Sequence, residues 1–170
     1  FSVDRGRYGV WVDENTPEER QIVATKAREL GKTSLDRAAD GKVSVVTGDW
    51  VDLVGDVTGD EGSLARIVRI QPRSTLLRRS ADDTDAVERI IVANADQMLI
   101  VVAAKDPEPR PRLVDRYLVA AFDAGITPLL CITKTDLADP TEFLANFAGL
   151  DITIFRSRSG GGQAAGSGRI

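Results

Sequence analysis

The sequence predicts a mixed fold in two parts, a small N-terminal β-barrel of the OB type followed by an α/β domain. Two observations support this fold class. Short alternating or β-branched segments separated by glycine turns fill roughly the first seventy residues, as in small barrels. From about residue 85, continuous apolar strands alternate with a helical segment, as in parallel sheets.

Composition limits the classes of protein that fit. The chain has 170 residues and 42% hydrophobic content, enough for one ordinary domain or two small ones. Its apolar runs are far shorter than the roughly 18 residues of a membrane span, so we expect no contact with a membrane. One cysteine excludes an internal disulfide framework, and no secretory signal precedes the first strand, so we expect a cytoplasmic protein.

Histidine is absent, which excludes imidazole catalysis and histidine-ligated zinc, and Cys131 alone cannot anchor a metal cluster. We therefore predict no metal ligands and identify no catalytic residue in this chain. The net charge of -4 argues against a protein that coats nucleic acid over its whole surface. A local basic face is compatible with that charge.

The first domain is predicted to span residues 1–80. Its strands, separated by turn residues, are Arg7–Val12, Lys42–Val46, Gly48–Gly55 and Ser63–Ile70. The segment Gln21–Leu30 is ambiguous, because its apolar residues fit a helix as well as a strand. Four or five short strands of this kind predict an OB-type barrel.

The second domain is predicted to span residues 81–156. Its strands are Val87–Ala93, Met98–Ala104, Pro128–Ile132 and Asp151–Phe155. Met98–Ala104 is apolar throughout, as in strands that are buried on both faces of a parallel sheet. Apolar residues from Leu113 to Phe122 recur at helical spacing, and Gly125 stands where a C-terminal cap belongs.

A second helix is predicted to begin at Asp139 and to run to about Phe147. Asp139 would be its N-cap, with Pro140 at the first helical position and Glu142 three residues beyond the cap. Residues 157–170 are rich in Gly, Ser and Ala, the composition of a flexible linker that does not pack.

The candidate site is the stretch Thr133-Lys134-Thr135-Asp136, which follows a buried strand. Ligands of α/β sheets bind beyond the carboxyl ends of the strands. There, Asp136 could accept two parallel hydrogen bonds from guanine, at the ring N1–H and the exocyclic amine, and Lys134 could lay its methylene stem along the base. The alternative interpretation is an ordinary polar turn, in which Asp136 only caps the next helix.

Several motifs together resemble the RsgA (YjeQ) type of circularly permuted GTPase. The stretches that carry the resemblance, in chain order, are Asn94-Ala95-Asp96-Gln97, Val114-Asp115-Arg116-Tyr117-Leu118, Gly125-Ile126-Thr127-Pro128 and Thr133 to Asp136. The resemblance covers residues 42–137 well and residues 1–41 loosely. It implies an OB domain and a P-loop GTPase domain in permuted order, with Thr133, Lys134 and Asp136 binding guanine.

The resemblance also implies a function. Proteins of this type bind GTP or GDP with Mg²⁺, dock on the small (30S) ribosomal subunit and its 16S rRNA, act in late subunit maturation, and carry a zinc knuckle. A second nucleotide loop would lie at Ser157 and Arg158. We expect the intact protein to be a monomeric GTP hydrolase with these partners.

This chain departs from the family pattern in three ways. Gly31-Lys32-Thr33 imitates the end of a phosphate loop, but Lys26 stands where the first glycine is needed, and no other phosphate loop is present. Cysteine and histidine ligands for a zinc knuckle are missing. Thr133 replaces the commoner asparagine, whose amide tethers neighbouring loops. The 170 residues alone are therefore not expected to hydrolyse GTP.

Five arginines on the last barrel strand and its exit form a candidate rRNA-binding face: Arg66, Arg69, Arg73, Arg78 and Arg79. An ordinary solvated face is the alternative. A second hypothesis for the whole chain is an OB-type RNA-binding module joined to a degenerate α/β half that binds no nucleotide.

Overall fold

The computed structural model describes residues 3–4, 6–28, 30, 44–79, 89–158 and 164–169. Contacts divide the chain into two units, Phe1–Asn94 and Ala95–Ile170. Each unit has a hydrophobic core of its own.

The first unit is built from β-strands. They are β1 (Val3–Asp4), β2 (Arg7–Val12), β3 (Arg20–Lys26), β4 (Val51–Gly55), β5 (Ala65–Ile70), β6 (Leu76–Arg79) and β7 (Arg89–Ala93). Strands β1 to β5 form one sheet in the order β1-β2-β3-β5-β4, in which only the β3–β5 pair is parallel. Strands β6 and β7 form a separate antiparallel pair.

The five-stranded sheet is open rather than a closed barrel. Within the described residues, β1 and β4 each pair along one side only, so the predicted closure is not seen. Of the strand predicted at Lys42–Val46, residues 42 and 43 lie outside the described residues, and residues 44–46 are not in a strand.

Alternating burial resolves the ambiguous segment near residue 22. Ile22 and Ala24 are buried in the core, whereas Gln21 and Val23 are exposed, a period of two that only a strand gives. Ile67 of the neighbouring strand β5 is also fully buried. The sheet therefore has one core face and one solvent face.

Gly48 and Asn94 connect three segments of the first unit. Gly48 has a φ of +87°, and a Cβ built on it would lie 2.0 Å from the carbonyl oxygen of Ala93, so only glycine fits there. The Asn94 carboxamide donates to the Gly48 carbonyl oxygen at 2.8 Å and accepts from the Ser74 N–H at 2.8 Å. Strand β7 is therefore tied to the first unit, although the sequence assigned it to the second domain.

The second unit is a four-stranded sheet with two helices. Its elements are β8 (Gln97–Ala103), α1 (Pro111–Asp123), β9 (Thr127–Thr133), α2 (Thr141–Ala145), β10 (Thr153–Ser157) and β11 (Ala164–Arg169). The order is β11-β10-β9-β8, with β8, β9 and β10 parallel and β11 antiparallel at the edge. The predicted α/β pattern is confirmed for these elements.

Helix α1 forms as its sequence predicts. Pro111 occupies its first turn, and Val114, Leu118 and Ala121 are its buried residues. Gly125 follows the C-cap with a φ of +69°, the left-handed conformation that ends helices.

The apolar strand β8 differs from its prediction. Ile100 packs in the core with the residues of α1, but Leu99 and Val101 are each 58% exposed. Burial on both faces is therefore not found, because the helices of the described residues pack against one face of the sheet.

The glycine-rich end of the chain also differs from its prediction as a linker. Strand β10 extends to Ser157, and Ala164–Arg169 pairs with it as β11. An edge strand needs only main-chain hydrogen bonds along one side, so small residues can form it without burying side chains.

Two arginine–aspartate pairs in the first unit differ in burial. Arg73 and Asp49 make a bidentate pair at 2.7 and 2.8 Å, with side chains 2% and 0% exposed. Arg73 also donates to the Ser44 carbonyl oxygen at 2.9 Å. By contrast, Arg69 is 63% exposed where it pairs with Asp52.

We predict that Arg73→Ala lowers the free energy of unfolding of the first unit by about 3–5 kcal/mol, because it leaves the Asp49 carboxylate buried without its cation. The matched control, Arg69→Ala, should change stability little, because its pair is exposed to solvent. Urea unfolding followed by tryptophan fluorescence measures this unit specifically, since both tryptophans, Trp11 and Trp50, lie in it. Equal losses in the two variants would contradict the prediction.

Candidate functional site

The candidate site lies at the carboxyl end of strand β9. This strand pairs in parallel with β8 on one side and with β10 on the other, with Thr133 opposite Ala103 and Ile132 opposite Arg156. Leu130 and Ile132 are fully buried. The three strand ends therefore meet at one edge of the sheet, where ligands of parallel sheets bind.

Thr133 and Lys134 make their hydrogen bonds on the β8 side. The Thr133 hydroxyl donates to the Val102 carbonyl oxygen at 3.4 Å, and the Thr133 carbonyl oxygen accepts from the Ala104 N–H at 2.8 Å. The Lys134 ammonium donates to the Asp106 carbonyl oxygen. Lys134 also has a φ of +57°, an uncommon conformation for a residue other than glycine, and the chain turns there.

Asp136 is exposed just beyond this turn. It lines a cleft of about 410 Å³ formed by residues 135–140 together with Arg156 and Arg158. The volume is within the range of small-molecule sites. Polar and charged groups dominate the lining, with two carboxylates and two guanidinium groups.

Asp139 lies at one wall of the cleft, two residues before the first residue of α2, Thr141. Its carboxylate accepts hydrogen bonds from the Thr141 hydroxyl at 2.7 Å and from the Thr141 N–H at 3.0 Å. The hydrogen bond from the Thr141 hydroxyl has the largest effect and holds the pKa of Asp139 below its ordinary value. The bond from the Thr141 N–H and the charge of Arg156 lower this pKa further. The helix begins one residue later than predicted, with Pro140 as its N-cap, and it ends at Ala145 rather than Phe147.

The second predicted nucleotide loop contributes to the same edge. Ser157 is the last residue of β10, and its carbonyl oxygen accepts hydrogen bonds from Thr135. Arg158 is exposed and lines the cleft. Asp136 and Arg158 thus share the cleft, whereas Thr133 and Lys134 contact the opposite side of the loop.

Sequence reasoning did not single out Thr135 or Arg156. Thr135 occupies the variable position of its motif, and Arg156 lies within a strand. Alternation alone puts Arg156 on the same face of the strand as Ile152 and Ile154, which are buried, yet Arg156 is exposed and lines the cleft, so the sequence pattern did not indicate its position.

The five candidate rRNA-binding arginines have different environments. Arg66 and Arg78 are exposed, and Arg69 is mostly exposed beside Asp52. Arg73 is not available at the surface, because its buried pair with Asp49 occupies it. The side chain of Arg79 lies outside the described residues.

The described residues show neither a metal site nor a membrane-spanning helix. Among the residues that the structure describes, no group of three or more Cys, Asp or Glu side chains could hold a metal ion. Over the same ranges, no helix is long and apolar enough to cross a membrane.

Comparison with protein families gives a match over more than half of the chain. The family model described as RsgA GTPase matches residues 70–162. A small ribosomal subunit biogenesis GTPase RsgA from Gemmatimonas aurantiaca is 36% identical over 146 residues, which are 86% of this chain and 45% of the relative. The protein of the same name from Pseudomonas fluorescens is 45% identical over 119 residues, 70% of this chain and 33% of the relative.

Solved structures give a similar result for the fold. YjeQ from Thermotoga maritima aligns with a TM-score of 0.62 at 24% identity, and YloQ, described as a circularly permuted GTPase, with a TM-score of 0.59 at 23%. Each alignment covers 92% of this chain and 49% of the other. The chain therefore spans between a third and a half of the length of these relatives.

We predict that Asp139→Ala lowers the thermal midpoint at neutral pH and that this difference disappears in acid. A carboxylate with a depressed pKa stabilises the fold above its ordinary pKa, and its contribution is lost as the pH falls through the folded-state pKa. Thr141→Val, which removes the hydroxyl donor, should reproduce part of the loss. Thermal unfolding across the acid range measures both, and a difference that does not vary with pH would contradict the prediction.

Proposed function

This chain belongs to the RsgA GTPase family, and we propose that it is part of a small ribosomal subunit biogenesis GTPase whose guanine site begins at the end of β9. The observation that carries the proposal is the position of Asp136, exposed in a cleft just beyond a buried central strand of a parallel sheet. The names of the relatives support the biological role.

Guanine suits this cleft chemically. A carboxylate can accept from the ring N1–H and the exocyclic amine of guanine at the same time, and such paired, charge-assisted hydrogen bonds are strong. Adenine offers an acceptor at the ring nitrogen, so the carboxylate would be left without its partner. A site built on such bonds can discriminate by roughly 10⁴-fold or more. In our proposal Asp136 contacts the base from the cleft. Thr133 and Lys134 belong to the same guanine-binding loop, although their side chains make hydrogen bonds on its β8 side, and Ser157 and Arg158 form the neighbouring loop.

The chain does not carry the groups for phosphoryl transfer. Its 170 residues contain no G-x-x-x-x-G-K-[ST] phosphate loop, and the family's Mg²⁺ therefore has no matching hydroxyl ligand in such a loop here. A zinc knuckle does not fit either, since histidine is absent and cysteine occurs once. We assign no hydrolysis step to these residues and propose GTP hydrolysis only for the full-length protein.

We propose an OB-type domain over residues 1–80, within the first unit, and a partial GTPase domain over residues 81–156, although β7 of that second range pairs with β6 in the first unit. Five strands in the order β1-β2-β3-β5-β4 support this, because an OB fold is a partly open Greek-key barrel of five strands. A role in ribosome assembly would put the protein in the cytoplasm, and we propose that it acts there as a monomer.

The proposed rRNA contacts are Arg66, Arg69, Arg78 and Arg79. Arg66, Arg69 and Arg78 have exposed side chains, and guanidinium groups on an otherwise acidic chain attract phosphate by charge, with 16S rRNA as the proposed partner. Arg79 is included from the sequence alone, because its side chain lies outside the described residues. Arg73 is left out of this set because its side chain is 2% exposed.

A second candidate function is RNA binding without nucleotide binding. It is motivated by these 170 residues, in which no phosphate loop occurs, so that base contacts within this chain alone leave the phosphates of a nucleotide without a cradle. RNA binding by a full-length protein that has no affinity for GDP would support this candidate over the first.

We predict that Asp136→Asn in the full-length protein weakens GDP binding by about a hundredfold or more, because two charge-assisted hydrogen bonds are disturbed. The same variant should gain affinity for xanthosine diphosphate, whose extra carbonyl can accept from the asparagine amide. Calorimetric titration with both nucleotides measures this change. The matched control is Asp151→Asn, an exposed aspartate that precedes β10. Unchanged GDP preference in Asp136→Asn would count against the proposed site.

We predict that the double variant Arg66→Gln, Arg78→Gln weakens binding to the small ribosomal subunit and reduces its salt dependence. Each lost phosphate contact should reduce the slope of log affinity against log salt by roughly 0.7–0.9. Arg112→Gln, at an exposed arginine on α1, is the control and should leave the slope unchanged. Binding at several salt concentrations measures the slope, and equal slopes in all three proteins would exclude these two contacts.

A further inference from the structure

Thr135 makes an unusual pair of hydrogen bonds at the candidate site. Its N–H and its hydroxyl both donate to the carbonyl oxygen of Ser157, each at 3.1 Å. A carbonyl oxygen has two lone pairs, so the two bonds can use it fully. Thr135 is half-buried, which shields these bonds from water.

The two bonds complete the attachment of the loop to both neighbouring strands. Thr133 and Lys134 reach the main chain that ends or follows β8, whereas Thr135 reaches the last residue of β10. Asp136 is the next residue along the chain and lines the cleft, as does Arg158, which follows Ser157. The two hydrogen bonds from Thr135 to Ser157 therefore limit how far apart Asp136 and Arg158 can lie across the cleft.

Thr133 holds the loop less firmly than Thr135 does. The Thr133 hydroxyl donates over 3.4 Å, at the long limit for a hydrogen bond. Threonine at this position is thus a weak tether, and the β10 side of the loop is held by residue 135. That position is variable in the T-K-x-D pattern, so the pattern itself does not require a threonine there.

We propose that Thr135 is a positioning residue for guanine specificity, whose hydroxyl locks the loop to the end of β10 so that Asp136 is held against the edge of the base. This inference rests on the proposed guanine site. It assigns to the side chain of Thr135 an effect on which base is preferred, beyond an effect on stability.

The test uses three variants of the full-length protein. Thr135→Val keeps the β-branched shape and the main-chain N–H bond but loses the hydroxyl, whereas Thr135→Ser keeps the hydroxyl. Thr127→Val is the control, at an exposed threonine that begins β9, the strand that leads to the loop. Calorimetric titration gives the affinities for GDP and for inosine diphosphate, which lacks the exocyclic amine that Asp136 would bind.

We expect Thr135→Val to lower the preference for GDP over inosine diphosphate about threefold to tenfold, the effect of one hydrogen bond. Thr135→Ser and Thr127→Val should keep the preference of the parent. If Thr135 only stabilised the fold, Thr135→Val would weaken the binding of GDP and of inosine diphosphate to the same extent. The ratio of the two affinities is measured on one preparation of each variant. An unfolded fraction therefore affects both affinities equally and cancels in the ratio.

Two outcomes would overturn the inference, and they differ in what they say of the proposed function. If the parent prefers GDP and Thr135→Val keeps the same preference, Thr135 is not a positioning residue and the guanine site stands. If the parent binds neither nucleotide, or does not distinguish them, the proposed guanine site fails and this inference fails with it.

Discussion

The parallel pairing of β9 with both β8 and β10 is the constraint on which the candidate site depends. Leu130 and Ile132 are fully buried, and they hold β9 in the core with Leu118 of α1 and Phe147. Because the register is fixed, the ends of three strands offer main-chain groups at one edge. The hydrogen bonds described for residues 133–135 then link the loop to both neighbouring strands.

Local periodicity predicted some strands closely and others poorly. Strand β2 forms over the predicted Arg7–Val12 because Tyr8 and Val10 alternate into the core. Helix and strand could not be separated at residues 21–30, since the partner strands of Ile22 and Ala24 lie elsewhere in the chain. Strand β6 was missed, because it has only four residues and is held by pairing with β7, a separate segment of the chain.

The sequence predicted the position of the candidate site from its motif but not the contacts around it. A polar loop after a buried strand indicates where a ligand could bind, and the exposed Asp136 is compatible with that prediction. The environment of an arginine is not encoded locally, because the partner of Arg73 is 24 residues away and is brought near by folding. Arg69 and Arg73 look alike in the sequence, yet one is exposed and the other is buried in an ion pair.

The turn at Lys134 shows how these contacts work together. A positive φ costs energy at a residue with a side chain, so the surrounding structure must hold it in place. The hydrogen bonds of Thr133 and Lys134 toward β8, and of Thr135 toward β10, hold the chain on both sides of this turn. Residues 133–135 are consequently half-buried while Asp136 is exposed. The strained turn thus places the Asp136 carboxylate at the cleft, while residues 133–135 make hydrogen bonds to the main chain of β8, β10 and the loop after β8.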